Sequence, residues 1–459
     1  MRHSFPRDDV PLLEVVDLSF THIGQQQPTL QLVNLNLAAG ELVVLAGATG
    51  SGKSTLLNCL TGIAPEHTGG RLTGKVLYRQ QDITLWSIRQ RSQFMGILLQ
   101  NVETQLFTDR VGDEVIFGLE NWNLPPGQIQ TLAQTALEKF NLSHQQTWPI
   151  RQLSAGQKQR LLTACQLVQN QTLLLLDEPF AYLDAAGTVL LLELLRQCRD
   201  RGQSILVIEH RLELLKPLCD RAYRIEAGAI APCQLDHLLV SPQEVFTAPT
   251  PVPPPSQISK ALLTTCNLSW GGYPAFPDLQ VSAGEVVLLK GQNGCGKTTL
   301  LKLLCGLLKP ATGRLTILGQ VATRQSVVQI AQTVGFVLQN PNHQLFAESV
   351  WLELKQPGVA DETAKILLHQ LNLAHCAEKH PQALSQGQKR RLASGAVLAR
   401  QPQICLLDEI MVGQDASSLA LMLQTLQSFT AQGGALIFTS HDPGVAVVLK
   451  PQVITIGSG

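Results

Sequence analysis

Charge of one sign is missing from this sequence: 35 Lys and Arg stand against 35 Asp and Glu, a formal net charge of zero. A protein that grips nucleic acid regardless of sequence needs a cationic footprint to displace counterions, so that class is disfavoured. The balance holds along the chain, with 20 basic and 23 acidic groups in residues 1–240 and 15 and 12 in residues 241–459; neither half is a charged arm. No apolar run approaches the roughly 20 residues that a membrane helix needs. The opening MRHSFPRDDVPLLEV also lacks the apolar stretch of a secretory leader. Membrane work therefore has to come through a partner. The ten cysteines never fall in a CxxC pair, which excludes a zinc ribbon or dithiol redox motif and fits a reduced cytosol. What remains is ordinary globular composition, 44% apolar with 36 Gly and 25 Pro in 459 residues. At roughly 100 to 200 residues per domain, that length suggests two to four domains.

One unit is written twice. AAGELVVLAGATGSGKSTLLNCLTG is answered by SAGEVVLLKGQNGCGKTTLLKLLCG, ILLQNVETQLF by FVLQNPNHQLF, LSAGQKQRL by LSQGQKRRL, LLLLDEP by CLLDEI and LVIEH by IFTSH. Ser154 to Ser385, Asp177 to Asp408 and His210 to His441 all differ by 231, whereas Lys53 to Lys297 differ by 244 and Gln100 to Gln339 by 239. The later part is rigid in length, and the changes fall between the first lysine and the serine. A helical insert is expected there, roughly over 109–152 and 348–383. Short β-branched or leucine-rich runs alternate with longer helical patterns, the signature of an α/β domain with a mainly parallel buried sheet. The division expected is a first domain over 1–240, a linker over 241–259 and a second domain over 260–459. The linker includes TAPTPVPPPS, residues 247–256, whose prolines favour an extended spacer of about 30 Å. Such a tether holds one half near the other at millimolar effective concentration.

The repeated segments carry phosphate chemistry. Gly47-Ala48-Thr49-Gly50-Ser51-Gly52-Lys53-Ser54-Thr55 and Gly291-Gln292-Asn293-Gly294-Cys295-Gly296-Lys297-Thr298-Thr299 follow apolar strand runs and open helical ones, which is the context a P-loop requires. Glycines let successive N–H groups turn inward around phosphates, the lysine neutralises β/γ oxygens, and Ser54 or Thr298 offers a hydroxyl to Mg²⁺. Asp177 and Asp408 end buried strands, where a carboxylate can hold the metal's water shell. Glu178 and Glu409 are then candidates for the general base. His210 and His441, 33 residues beyond the aspartates, are candidates to orient the γ-phosphate and attacking water.

This combination resembles the ATP-binding cassette (ABC) ATPases across both halves. The resemblance implies two P-loop NTPase domains in one chain, each α/β with a mostly parallel sheet core, a helical insert and an N-terminal antiparallel β part, using ATP and Mg²⁺. It implies that Ser154 with Gly156, and Ser385 with Gly387, at helix N-termini, grip the nucleotide held by the other half, pairing Lys53 with Ser385 and Lys297 with Ser154. It also implies that Gln100 and Gln339 touch the metal and link catalysis to the insert. The QNVETQLF and QNPNHQLF segments (100–107 and 339–346) further resemble the QNPxxQLF segment of energy-coupling factor importers, in which paired cassettes drive an integral membrane scaffold and a substrate-binding subunit. An aromatic ring upstream of each P-loop is implied for adenine, with Phe20 and His22, then Trp270 and Tyr273, available.

The pattern is broken in places. Ile410, Met411, Val412, Gly413 and Gln414 stand where the family has a proline, small residues and a leucine, and Tyr182 stands where glycine is usual. Cys295, inside the second P-loop, reads as a small residue tolerated for its backbone. The expected protein is an ATPase subunit of an importer, cytoplasmic and peripheral on the inner face of a bacterial membrane, with no nucleic-acid partner. A ribosome-bound translation factor and a tandem sugar-importer ATPase are the rivals. The linker here is short and proline-rich where the former's is long and charged, and the latter gives no reason for QNPxxQLF.

Overall fold

A computed structural model describes residues 10–122, 124–238, 261–271, 274–411, 414–440 and 442–457. It falls into two units, Met1–Val240 and Ser241–Gly459. The proline-rich segment 247–256, Tyr273, Val412, Gly413 and His441 lie outside the described residues.

In the first unit, Leu42–Ala46, Ser204–Ile208 and Leu173–Asp177 are buried at every position, as strands covered on both faces must be. They lie side by side and parallel, with Met95–Leu98 beyond Leu173–Asp177 and Arg221–Glu226 beyond Leu42–Ala46. An antiparallel strand, Ala229–Cys233, closes the sixth position. The second unit repeats this with five parallel strands, in the order Val334–Val337, Ile404–Asp408, Ala435–Thr439, Val286–Lys290 and Gln452–Thr455. Each unit adds a four-stranded antiparallel sheet built around Leu13–Thr21 or Ala261–Ser269. Both units are thus α/β domains with an antiparallel part and a parallel core.

The inserts are helical, and their length explains the later part of the drift in spacing, from 239 to 231. Val111–Glu120 and Pro126–Lys139 form the first, Val350–Leu354 and Asp361–Gln370 the second. The interval from glutamine to signature serine is correspondingly 54 residues in one unit and 46 in the other. Val115, Leu119, Ala133 and Leu137 pack on Leu161 and Ala164, so the insert is cored against the helix that begins beside Ser154.

The units differ beneath the P-loop helix. In the first, Lys53–Thr61 ends at Gly62, whose φ of 85° is left-handed. Arg91 is 2% exposed there, and its guanidinium donates to the carbonyls of Cys59 (2.9 Å), Leu60 (2.5 Å), Ile83 (2.8 Å), Thr84 (2.7 Å) and Trp86 (3.0 Å). A cation at a helix C-terminus meets the negative end of the helix dipole. Ile330 occupies the matching place in the second unit, where the same capped turn begins at Ser326 instead of Ser87. Arg91→Ala would strand several of those carbonyls. We expect it to cost about 3 kcal/mol or more in chemical unfolding of the full chain; a loss under about 1 kcal/mol would contradict this role.

Candidate functional site

Both P-loops stand at the carboxyl ends of central parallel strands, where α/β sheets bind ligands. Glycine is required in the loop for a definite reason: a Cβ at Gly47 would lie 2.4 Å from the Ile225 carbonyl oxygen, and one at Gly291 would lie 2.6 Å from both Cys295 Sγ and the Ile456 oxygen. Gly50 and Gly294, at φ of 82° and 86°, instead have nothing within 4 Å of where a Cβ would be, leaving an open cradle. Lys53 Nζ donates to the carbonyls of Gly47 (2.7 Å) and Ala48 (2.8 Å), and Lys297 Nζ to those of Gly291 (2.8 Å) and Gln292 (3.0 Å). The ammonium is thereby fixed at the rim of the cradle. Thr55 and Thr299 occupy the first helical turn behind it. Ser51 Oγ is buried without a hydrogen-bond partner in the loop. Open cradle, fixed cation and orphaned hydroxyl fit a chain of phosphates.

The carboxylates converge on the same place. Ser54 Oγ donates to Asp177 Oδ2 and Thr298 Oγ1 to Asp408 Oδ2, each at 2.8 Å. This hydroxyl and carboxylate pair suits Mg²⁺, which takes few protein ligands and completes its shell with phosphate oxygens and water. Glu178 and Glu409 follow at φ of 52° and 49°, a left-handed backbone that costs an ordinary residue roughly 1 to 2 kcal/mol. The Glu178 N–H donates to the Ile208 carbonyl and the Glu409 N–H to Thr439 Oγ1, both at 2.9 Å, so the neighbouring strand holds the strained turn. Gln100 Nε2 donates to Glu178 Oε1 and Gln339 Nε2 to Glu409 Oε2, each at 2.7 Å. His210 Nε2 lies 3.3 Å from Glu178 Oε1. The structure therefore brings together, in the first unit, every P-loop, aspartate, glutamate, glutamine and histidine position singled out above. The second repeats them as far as it is described.

Electrostatics single out this corner. Burial, then the charge of Glu178, raises Asp177 well above the usual carboxylate range. Burial, then Glu409, pushes Asp408 up to about 6. Burial works against a charged His210, yet the hydrogen bond and charge of Glu178 outweigh it and raise that imidazole. Adjacent buried carboxylates of this kind are the donor chemistry that suits a cation.

Ser154 and Ser385 are N-caps. Each accepts from the N–H of the third helical residue, Gln157 or Gln388, whose side chain returns the bond to the cap's own N–H. Gly156 and Gly387 are buried within the first turn. The glutamine segment has its own staple: Gln105 accepts from the Leu99 N–H and donates to the Leu99 and Asn101 carbonyls, all at 2.8 Å. Gln344 accepts from Leu338 in the same way. Two residues were overlooked in the sequence. Buried Glu114 accepts from the N–H groups of Phe107 (3.1 Å) and Thr108 (2.8 Å), and buried Glu353 from those of Phe346 and Ala347, both at 2.8 Å. The signal was available, since each glutamate lies seven residues beyond its phenylalanine. These anchors leave the rings outward, Phe107 73% and Phe346 81% exposed.

The adenine expectation needs correction at Phe20. Its strand bulges at Asp17 (φ 48°), opposite Gly74, which turns Leu18 and Phe20 to the inner face. Phe20 is fully buried, its ring edge-on to His22 at 4.9 Å, and has no face to offer a base. Asn267 (φ 47°) makes the same bulge opposite Gly313, and Trp270 is half-buried against the second unit's core. Half-buried His22 remains in the first unit. Cys295 is likewise half-buried against that second core. Tyr182 adopts φ of 61° where the family's glycine would sit freely, and Ile410 and Met411 are buried.

The sequence profile described as ABC transporter matches residues 30–181 and 277–412. YkoD of Bacillus subtilis, which bears the name of an HMP/thiamine import ATP-binding protein, is 33% identical over 94% of this chain and 87% of its own. SCO2324 of Streptomyces coelicolor, named for an ABC transporter ATP-binding protein, is 30% identical over 98% of this chain and 92% of its own. Among solved structures, ribosome-bound archaeal Pelota and ABCE1 gives a TM-score of 0.70 over 96% of this chain and 76% of that one, at 18% identity. That likeness is one of fold alone.

The Asp408 shift sets a pH dependence. The folded chain holds this proton to about pH 6, whereas an unfolded Asp loses it near 3.9. Without nucleotide, stability contributed at this position therefore falls as pH rises from about 4 to about 6, then stays low. Asp408→Asn removes the burden, and urea unfolding should find it about 3 kcal/mol more stable than the parent near pH 7.5 but equal to it near pH 4. An equal difference at both pH values would contradict the assignment.

Proposed function

Because the chain belongs to the ABC transporter family, as a tandem ATP-binding protein whose hydrolysis of ATP is coupled to transport, we propose that it powers an importer of the energy-coupling factor type. The observation that carries this reading is the paired QNPxxQLF geometry. In each half a glutamine holds the glutamate, a second glutamine staples the loop, and a buried glutamate turns a phenylalanine out to solvent. Large exposed apolar side chains at matching positions of a repeat favour contact with a partner over chance. An integral membrane scaffold is the partner proposed, since among the described residues no helix is long and apolar enough to cross a membrane. The name of YkoD makes a thiamine precursor the first cargo to test.

In the proposed reaction Lys53 or Lys297 and the loop N–H groups hold the triphosphate. Bound between Ser54 and Asp177, or Thr298 and Asp408, Mg²⁺ would neutralise charge on the β/γ oxygens. Glu178 and Glu409 take the proton of the attacking water, and His210 fixes the γ-phosphate. Gln100 and Gln339 surrender the glutamate as they turn to the nucleotide, passing the change to the insert. Closure on ATP would bring the Ser385 tip to the Lys53 site and the Ser154 tip to the Lys297 site. The capped, part-exposed helix starts in each unit suit that task.

Glu178→Gln combined with Glu409→Gln is expected to cut steady-state turnover on the order of 10²- to 10⁴-fold while ATP still binds. Near-parental turnover would remove the general-base role. Phe107→Glu with Phe346→Glu should leave ATP binding intact yet abolish co-purification with the membrane partner from detergent extracts, and undiminished recovery would refute the docking surface.

A further inference from the structure

The loop that holds each glutamate is also fastened at its other end. Three residues after Gln100, Glu103 accepts an ion pair from Lys158 Nζ at 2.6 Å. Three residues after Gln339, Asn342 Oδ1 accepts from Lys389 Nζ at 2.9 Å. Lys158 and Lys389 are the same position of the repeat, the fourth residue of the helix capped by Ser154 or Ser385. The chemistry differs and the geometry does not. Lys389 is 7% exposed and sits between two amide oxygens, Asn342 Oδ1 and Gln382 Oε1 (3.0 Å), with burial lowering its affinity for a proton. In the first half the corresponding residues are Glu103 and Arg151, so each set of three carries one net positive charge.

Between the two fastenings the loop cannot stretch. Val102–Gln105 and Pro341–His343 are single 3-10 turns, and Gln105 and Gln344 close them onto Leu99 and Leu338. A displacement of Gln100 or Gln339 is therefore delivered at the lysine one turn inside the signature helix. Packing stability is a poor reason for the first link, because Glu103 is 53% exposed and such pairs contribute about 0 to 1 kcal/mol.

We propose that Lys158 with Glu103, and Lys389 with Asn342, are positioning pairs that lock each signature helix to the glutamine loop of its own cassette, so that the glutamate's restraint and the serine-bearing helix tip move as one body. The inference rests on the reading of Glu178 and Glu409 as bases, which their glutamine variants test separately.

The experiment is a double-mutant cycle in the full chain, reading steady-state ATP hydrolysis. Glu103→Ala and Lys158→Met should each lower kcat about tenfold with KM for ATP changed less than about twofold, and the double variant should be no slower than either single one. Lys389→Met and Asn342→Ala should behave likewise, while Lys158→Arg, which keeps the ion pair, should recover at least half of kcat. Independent, multiplying losses, or single variants with parental kcat, would overturn the proposal. Melting temperature measured alongside separates the cases: a rate loss that follows loss of folded protein would also overturn it, because a lock acts on kcat in a folded chain.

Discussion

Two adjacent carboxylates held out of water at the end of a parallel strand set the terms for everything around them. Asp177 with Glu178, and Asp408 with Glu409, sit where the sheet leaves no solvent, and the second of each pair is bent into a left-handed backbone. Such an arrangement persists only when the surroundings determine it from several sides. The neighbouring strand fixes the turn, a P-loop hydroxyl satisfies the aspartate and a glutamine amide satisfies the glutamate. The hydroxyl and the amide are also groups that a magnesium-bound triphosphate would engage in the proposed reaction, so these hydrogen bonds and the proposed liganded ones would compete for the same atoms. In the proposed mechanism that competition is what would let nucleotide binding move the glutamine loop.

The halves reach that state by different routes. His210 is preceded by buried Glu209, whose carboxylate accepts from the N–H groups of His210 (2.9 Å) and Arg211 (3.0 Å). In the second half Ser440 Oγ accepts from Asp442 at 3.1 Å and thereby serves the equivalent N–H. A carboxylate in one cassette and a hydroxyl in the other anchor the same turn. The P-loop helix is followed by Arg91 in one unit and by Ile330 at the matching place in the other, and the lysine of the signature helix meets a carboxylate in one and an amide oxygen in the other. The backbone and the phosphate-facing atoms are held in common, while the supporting side chains have diverged. One fold thus surrounds two sites whose electrostatics need not be equal.

How much of this could be read beforehand follows from the physics of each feature. P-loop, DE pair and signature are local strings whose spacing is dictated by backbone geometry, so composition and order reveal them. Lys158 and Lys389 reach partners 55 and 47 residues away across gaps that only a fold closes, and a lysine on a helix looks like a solvated face until its partner is seen. Glu114 and Glu353 lie close to their phenylalanines, and it is their burial that the string does not show. Phe20 misled because the resemblance asks only for an aromatic ring upstream of the P-loop and does not say which face of its strand the ring takes. The bulge at Asp17 turns that face inward, and only Gly74, standing opposite, hints that a bulge is there.

The central claim is that burial beside a second carboxylate raises Asp177 and Asp408, so that Mg-ATP binding at mildly acid pH would displace protons from them. Calorimetric titration of magnesium with a non-hydrolysable ATP analogue into the parent chain at about pH 5.5, repeated in buffers of different ionisation enthalpy, counts those protons directly, since cation binding to a protonated site releases them. The account requires net release that disappears when Asp177 and Asp408 are replaced by Asn; tight binding with no proton exchange in either chain would contradict it.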